Sequence, residues 1–160
     1  LNLEGDPALR QEMLALQDEY ISTLDTDALE HWPEMFVEDC LYEIIPKENV
    51  DLGLPAPVIH YDSRRMLRDR VVSLRHANIF QPAVYRHFTS GLVIAAAGDA
   101  QIEMRSSYMV VRTSQAGDST VFQTGRYHDL VVRDGGRWRF KSKRVIYDTS
   151  RIQTALAIPI

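Results

Sequence analysis

Cysteine is almost missing from this chain: its 160 residues hold one, Cys40. No intramolecular disulfide can form, and a lone thiol leans towards a reducing, cytoplasmic setting. A zinc or iron–sulfur site that needs two or more thiolates from this chain is excluded as well. Charge of one sign is also scarce. Lys and Arg total 18 against 22 Asp and Glu, a formal net charge of −4, which gives no support to nucleic-acid binding, where a basic stripe is expected. No apolar run approaches the roughly 18 residues of a membrane-spanning helix, and no stretch reads as a signal peptide. Repeats, low-complexity tracts and linkers are missing too. What remains has an ordinary composition, 45% hydrophobic and 25% charged. It is long enough to form one domain over residues 1–160 with a core of its own.

The first half reads as helices. Asp6-Pro7 supplies an acceptor side chain for an N-cap and a proline whose missing N–H costs nothing in a first turn. Leu9, Met13, Leu16, Tyr20 and Leu24 then recur every three or four residues, with Leu14 and Ile21 widening the stripe. This spacing predicts an amphipathic helix of about five turns ending near Asp25. Thr26 or Asp27 is suited to cap a second, shorter helix carrying Leu29, Trp32 and Phe36, its regularity limited by Pro33. Cys40–Ile45 is strand-prone, and Pro46 ends it. Lys47 to Val58, with Gly53, Pro55 and Pro57, reads as a surface loop. Asp62 opens a third helix with Met66, Leu67, Val71 and Leu74 on its apolar face. Its basic run, from Arg64 to Arg70, reads as a solvated face with acidic partners nearby.

A second loop runs from Arg75 to Tyr85, and strands follow. His87–Ala96 and Gln101–Arg112 alternate apolar and polar residues across a Gly98-Asp99 turn. A long hairpin spans Ser119 to Tyr147. In a strict period of two, Val121, Gln123, Gly125, Tyr127, Asp129 and Val131 share one face, and Phe122, Thr124, Arg126, His128, Leu130 and Val132 the other. Asp134-Gly135-Gly136 supplies the positive φ angles of a short hairpin loop. The return strand places Trp138, Phe140, Ser142, Arg144 and Ile146 on one face, and Arg139, Lys141, Lys143, Val145 and Tyr147 on the other. Helices followed by strands indicate α+β architecture: a curved antiparallel sheet, ending in a four-strand meander, covered by three N-terminal helices as a cone. The hairpin's apolar side is then the floor of the cone, and its charged side an assembly surface.

Few chemistries fit these residues. The five histidines, His31, His60, His76, His87 and His128, lie at least eleven residues apart, so no short metal-ligand pair exists. No nucleophile elbow is present, and Gly135-Gly136 is a hairpin turn rather than a phosphate loop. Cys40 sits in an apolar strand context, where a lone thiol is usually inert. The remaining enzyme candidate is general acid–base work inside the cone, lined by Tyr20, Asp25, His87, His128 or Asp129. A stand-alone lyase or isomerase of this kind would use His87 or His128 with Asp25 or Asp129. Its rival is structural: Arg126, His128, Asp129 and Arg144 as cross-strand ion pairs or an intersubunit surface. A ligand-binding module without chemistry is a third possibility.

Several stretches in order carry a resemblance: LDTDALEHWPEMFVEDCLYEI, YDSRRMLRDRVVSL, RHFTSGLVI, GRYHDLVVRDGGRWRFKSKRVIYD and the terminal ALAIPI. Along nearly its whole length the chain resembles the small (beta) subunit of Rieske-type aromatic-ring-hydroxylating oxygenases. The segment RHANIFQPAVYRH is similar to small subunits that act with oxygenases of salicylate, anthranilate or terephthalate. The resemblance implies a cone fold like that of nuclear transport factor 2 and ketosteroid isomerase. It also implies a hetero-hexamer of three large and three small subunits. In that family the large subunit carries the Rieske cluster, the mononuclear iron and the substrate pocket, and electrons cross between neighbouring large subunits. The small subunit is structural, with no catalytic, cofactor or metal residues to carry over. A Rieske centre takes two Cys and two His, which a chain with one Cys cannot supply, so any such chemistry falls to the partner. Contacts with the large subunit or with other copies of this chain are expected at Tyr85, Arg86 and His87 and at Arg126, His128 and Arg144.

Overall fold

The computed structural model describes residues 5–77, 82–148 and 158–160. Helix α1 (Pro7–Asp25) starts as the sequence predicts: Asp6 Oδ1 accepts a hydrogen bond from the Ala8 N–H at 2.9 Å, with Pro7 in the first turn. Its buried face is Leu9, Met13, Leu16, Gln17, Tyr20 and Leu24. The second helix differs from expectation. Asp27 takes a left-handed φ of 59°, and the chain makes two 3-10 turns, Leu29–His31 and Pro33–Met35. Pro33 offers no N–H to continue the first turn. Phe36 begins strand β1 (Phe36–Pro46) instead of closing a helix. The loop expected after Pro46 contains a short helix, α2 (Lys47–Asp51), and is followed by strand β2 (Ile59–Tyr61). Helix α3 (Arg64–His76) is capped by Ser63 rather than Asp62, the Ser63 hydroxyl accepting from the Met66 N–H.

Four long strands complete the fold: β3 (Ala83–Ala97), β4 (Gln101–Ser114), β5 (Ser119–Asp134) and β6 (Arg137–Tyr147). The sheet has six strands in the order β2-β1-β6-β5-β4-β3. All neighbours are antiparallel except β1 and β6, which run parallel. That parallel seam stitches the N-terminal half of the chain to its last strand. Gly135 and Gly136, at φ 60° and 79°, form the two-residue turn between β5 and β6. Strand β3 lies at a sheet edge, where unpaired backbone groups invite another strand. Helix α1 blunts it twice: the Arg10 guanidinium donates to the Leu92 carbonyl, and both Asp25 carboxylate oxygens accept from the His87 N–H.

Two bulges re-phase the hairpin. In the β5–β6 register Leu130 faces Ser142 but Val131 faces Phe140, leaving Lys141 as an extra residue. Phe140, Lys143, Val145 and Tyr147 all turn inward as a result, whereas strict alternation puts Phe140 opposite the other three. Near the start of β5 the register with β4 shifts between Val110 and Val111. Phe122 is therefore buried and Val121 exposed, while Gly125, Tyr127, Asp129 and Val131 keep the inward face. At Gly125 the strands approach so closely that an added Cβ would sit 2.1 Å from the Ile146 carbonyl oxygen. The core lies between the concave sheet and α1, α3 and the 3-10 turns. Tyr20, Trp32, Phe36, Tyr42 and Phe140 meet there mostly edge to face, with centroids 5.2–6.4 Å apart.

The arginines of α3 meet acidic partners, as the sequence reading expected, and form a charged seam. Arg64 donates to the Phe36 carbonyl, Arg68 pairs with Glu34, and Arg75 pairs with Asp27 and Glu30. This seam fastens α3 to the 3-10 turns. Arg75 holds the Glu30 carboxyl at about 2, below the usual range.

Candidate functional site: the cone interior and the outer sheet face

Among the described residues, three polar constellations stand out inside the cone. The first joins two residues that the sequence suggested for acid–base work. Asp25, at the end of α1, reaches β3, and its Oδ1 stands 2.7 Å from His87 Nδ1. The pair has the form of an oriented general base. Its imidazole is fully buried, however, and Nε2 has no hydrogen-bond partner among the described residues. The same Asp25 carboxylate also closes the β3 edge through the His87 N–H. That structural role accounts for the acid without any substrate.

The second constellation was not legible in the sequence. Asp129 on β5 and Lys143 on β6 face each other across the re-phased hairpin, and Lys143 Nζ donates to Asp129 Oδ1 at 3.1 Å. Both side chains are 0–1% exposed. The ammonium lies 3.7 Å from the centroid of Tyr127 and 4.3 Å from that of Tyr20, a cation–π cage. Burial pushes Asp129 up and Lys143 down, against the attraction between them. Asp129 is thus committed to a lysine rather than to His128, whose side chain emerges on the other side of the sheet. Gln17 and Ser106 form a further buried bond at 2.6 Å.

The third constellation fills the mouth. Residue 160 is fully buried, and its backbone oxygen accepts from Tyr20 Oη at 2.7 Å and Tyr42 Oη at 3.0 Å. Beside it, between Trp32, Tyr42, Ile59 and Tyr61 on one side and Ile158 and Pro159 on the other, about 10 Å³ of space remains. That is no more than a single water requires. Burial raises both tyrosines above their ordinary value, so they stay neutral O–H donors.

The outer face of the sheet carries the remaining candidates. His60, Glu43, Arg144, His128 and Arg105 follow one another across β2, β1, β6, β5 and β4 as directly opposed residues. Glu43 accepts from Arg144 at 3.3 Å and lies 2.8 Å from His60. Burial, and then the Arg105, Arg144 and Arg126 charges, hold His128 below its ordinary value. A groove of about 490 Å³ runs beside this row, lined by Lys47, Ser107, Thr124, Arg126, His128 and Asp148 among others. Of the six expected contact residues, Arg86, Arg126, His128 and Arg144 lie on this outer side. His87 faces the interior, and Tyr85 turns inward to meet the Phe122 ring edge-on at 5.4 Å. Exposed Val84, Phe88, Val93 and Val121 add an apolar flank near the β3 edge.

Among the described residues, no group of three or more His, Cys, Asp or Glu is placed to hold a metal ion. Cys40 is buried in β1, and burial pushes its thiol up to about 11. Lys143, Tyr42, Gln17 and Ser106 are among the interior residues whose roles reading the sequence did not single out. The re-phasing bulge carries no glycine or proline to announce it.

Residues 21–154 match the family described as the ring hydroxylating beta subunit. The chain is 58% identical over 159 residues to the anthranilate 1,2-dioxygenase small subunit of Burkholderia cepacia, covering 99% of both chains. A crystal structure from Novosphingobium aromaticivorans, described as the beta subunit of an aromatic-ring-hydroxylating dioxygenase, superimposes with a TM-score of 0.87. It is 42% identical, covering 96% of this chain and 97% of that one. Another from the same organism, described as a scytalone dehydratase, shares the fold alone: TM-score 0.70 at 18% identity, covering 92% and 91%. The resemblance suggested by the sequence therefore holds, and the chain belongs to the beta-subunit family of ring-hydroxylating dioxygenases.

Proposed function

We propose that this chain acts as one domain, as the structural, noncatalytic small subunit of a cytoplasmic ring-hydroxylating oxygenase. Three copies hold three large subunits in a hetero-hexamer. The large subunits carry the Rieske cluster, the mononuclear iron and the substrate pocket, and this chain contributes no group to either centre. The observation that carries the reading is how the interior acids and bases are used. Asp25 is committed to the β3 edge and His87, and Asp129 to Lys143. The aromatic side chains around them are buried, so the cone offers packing where an enzyme would offer a chamber.

The assembly surface is then the outer sheet face. Arg86 and Arg126 project from β3 and β5 on that side and are exposed. Arg144 and His128 continue the polar row, and Phe88 and Val121 supply apolar contact area. An obligate interface of this kind buries more than about 2,000 Å² in total. The similarity to a small subunit of anthranilate 1,2-dioxygenase supports an amino- or carboxy-substituted benzene as the substrate of the whole system, selected by the large subunit.

Charge reversal tests the surface. Arg126→Glu with Arg144→Glu, co-expressed with the large subunit, is expected to abolish co-purification while the variant small subunit keeps its fold. Undiminished recovery of the complex would overturn the assignment. The competing acid–base reading rests on the 2.7 Å Asp25–His87 contact. Under the structural reading, His87→Gln in the purified complex leaves the turnover per assembled hexamer unchanged.

A further inference from the structure

The mouth of the cone is built around one oxygen atom. Tyr20 Oη and Tyr42 Oη both donate to the backbone oxygen of Ile160, at 2.7 and 3.0 Å. A third group fixes the direction of the Tyr20 proton, and Ile160 itself orients that of Tyr42. Trp32 Nε1, which can only donate, donates to Tyr20 Oη at 3.2 Å, so the tyrosine's own proton must point elsewhere. The Ile160 N–H likewise donates to Tyr42 Oη at 3.1 Å. Trp32, Tyr20 and Tyr42 are all at most 1% exposed. The Trp32–Tyr20 arm belongs to the folded body and does not depend on residues 158–160.

The walls around this point are flat and apolar. The Trp32 ring meets Tyr42 edge-on at 5.2 Å, and Tyr42 stacks on Tyr61 at 6.1 Å and 12°. Ile44 and Ile59 complete them. Arg70 also lines this end. Two convergent O–H donors and aromatic walls are the ingredients of a site for an oxygen anion on a flat ring. In the structure, that position is taken by the chain itself. Ile158 and Pro159 lie against the same walls.

We propose that the mouth of the cone is a binding site for a small aromatic oxyanion, a phenolate or benzoate, which residues 158–160 occupy as an intramolecular stand-in. The backbone oxygen of Ile160 sits where the ligand's oxygen would sit, and the Ile158–Pro159 segment covers the ring position. Ligand and segment therefore compete, and the unmodified chain binds such compounds weakly because its own segment is tethered at high local concentration. The proposal does not rest on the assembly role proposed above.

The test uses the chain of residues 1–160 with Ile158→Ser, Pro159→Gly and Ile160→Ser together, and 4-nitrophenolate as the probe. Its visible absorption shifts when it leaves water for a hydrogen-bonding apolar site. The expected result is saturable one-to-one binding, at least about tenfold tighter than to the unmodified chain. Adding Tyr20→Phe or Tyr42→Phe to the triple variant should weaken it about tenfold or more, the loss of one hydrogen bond to a charged group. Circular dichroism establishes that each variant is folded. If the triple variant does not fold, Ile160→Gly alone is measured in the same way. A folded variant that binds the probe no better than the unmodified chain overturns the proposal. So does binding that is indifferent to both tyrosine substitutions.

Discussion

Lys143 shows what a single residue can conceal. Its ammonium is 1% exposed, with Asp129 as its ion-pair partner. Removing one member of such a pair leaves a buried charge alone, at a cost of about 3–5 kcal/mol. Lys143→Met is therefore expected to lower the urea midpoint of unfolding by that equivalent. The double variant Lys143→Met/Asp129→Leu should regain most of the loss, because neither charge is then desolvated. A double variant as unstable as the single one would show that the pair's geometry, rather than its charge balance, matters. His128 makes a pH-dependent prediction. Its folded-state value lies below the ordinary histidine value of 6.5, so the unfolded chain binds the proton more readily. Its effect on stability is absent above about pH 7.5. As pH falls through 6.5 towards the folded value, stability declines. Urea midpoints measured at about pH 7.5 and about pH 5.5 should differ less in His128→Gln than in the unmodified chain. Neither residue's environment could be read from the sequence. Asp129 and Lys143 sit at positions that strict alternation places on unrelated faces, and only the extra residue at Lys141 brings them together.

Among the elements, α1 was the most legible. Its Asp6-Pro7 start and its apolar stripe are both local signals, and they agree. Asp6→Ala should cost about 1 kcal/mol by thermal unfolding, the usual worth of such a cap. The second helix failed because Pro33 and the left-handed Asp27 act on backbone geometry, which hydrophobic spacing does not report. The parallel pairing of β1 with β6 was invisible for another reason: it joins residues about a hundred positions apart, and nothing local in Phe36–Pro46 encodes that partner. Gly125 is the element-scale counterpart. The sequence offered it as one more strand residue, yet the Ile146 carbonyl oxygen leaves it no room for a methyl group. Gly125→Ala should force β5 and β6 apart and destabilise the protein by about 2 kcal/mol or more. A midpoint shift under a few tenths of that would contradict the close approach.

At the scale of the whole molecule, the cone and the charged sheet divide the work. Inside, aromatic packing and paired charges hold α1, α3 and the 3-10 turns on the concave side of the sheet. Outside, a row of Arg, His and Glu crosses five strands and borders the 490 Å³ groove. The cone architecture could be expected from the order of helices and strands, and the family from the whole-chain resemblance. The division between filled interior and decorated exterior needed the side-chain positions. The proposed function assigns assembly to the outer face and makes the chain's contribution to oxygenase activity the relative placement of its partners. The direct test is the mass, by light scattering on a sizing column, of this chain co-expressed with its large subunit. The account predicts one species containing three copies of each. A small subunit that elutes alone, and turns over a substrate without any partner, would contradict it.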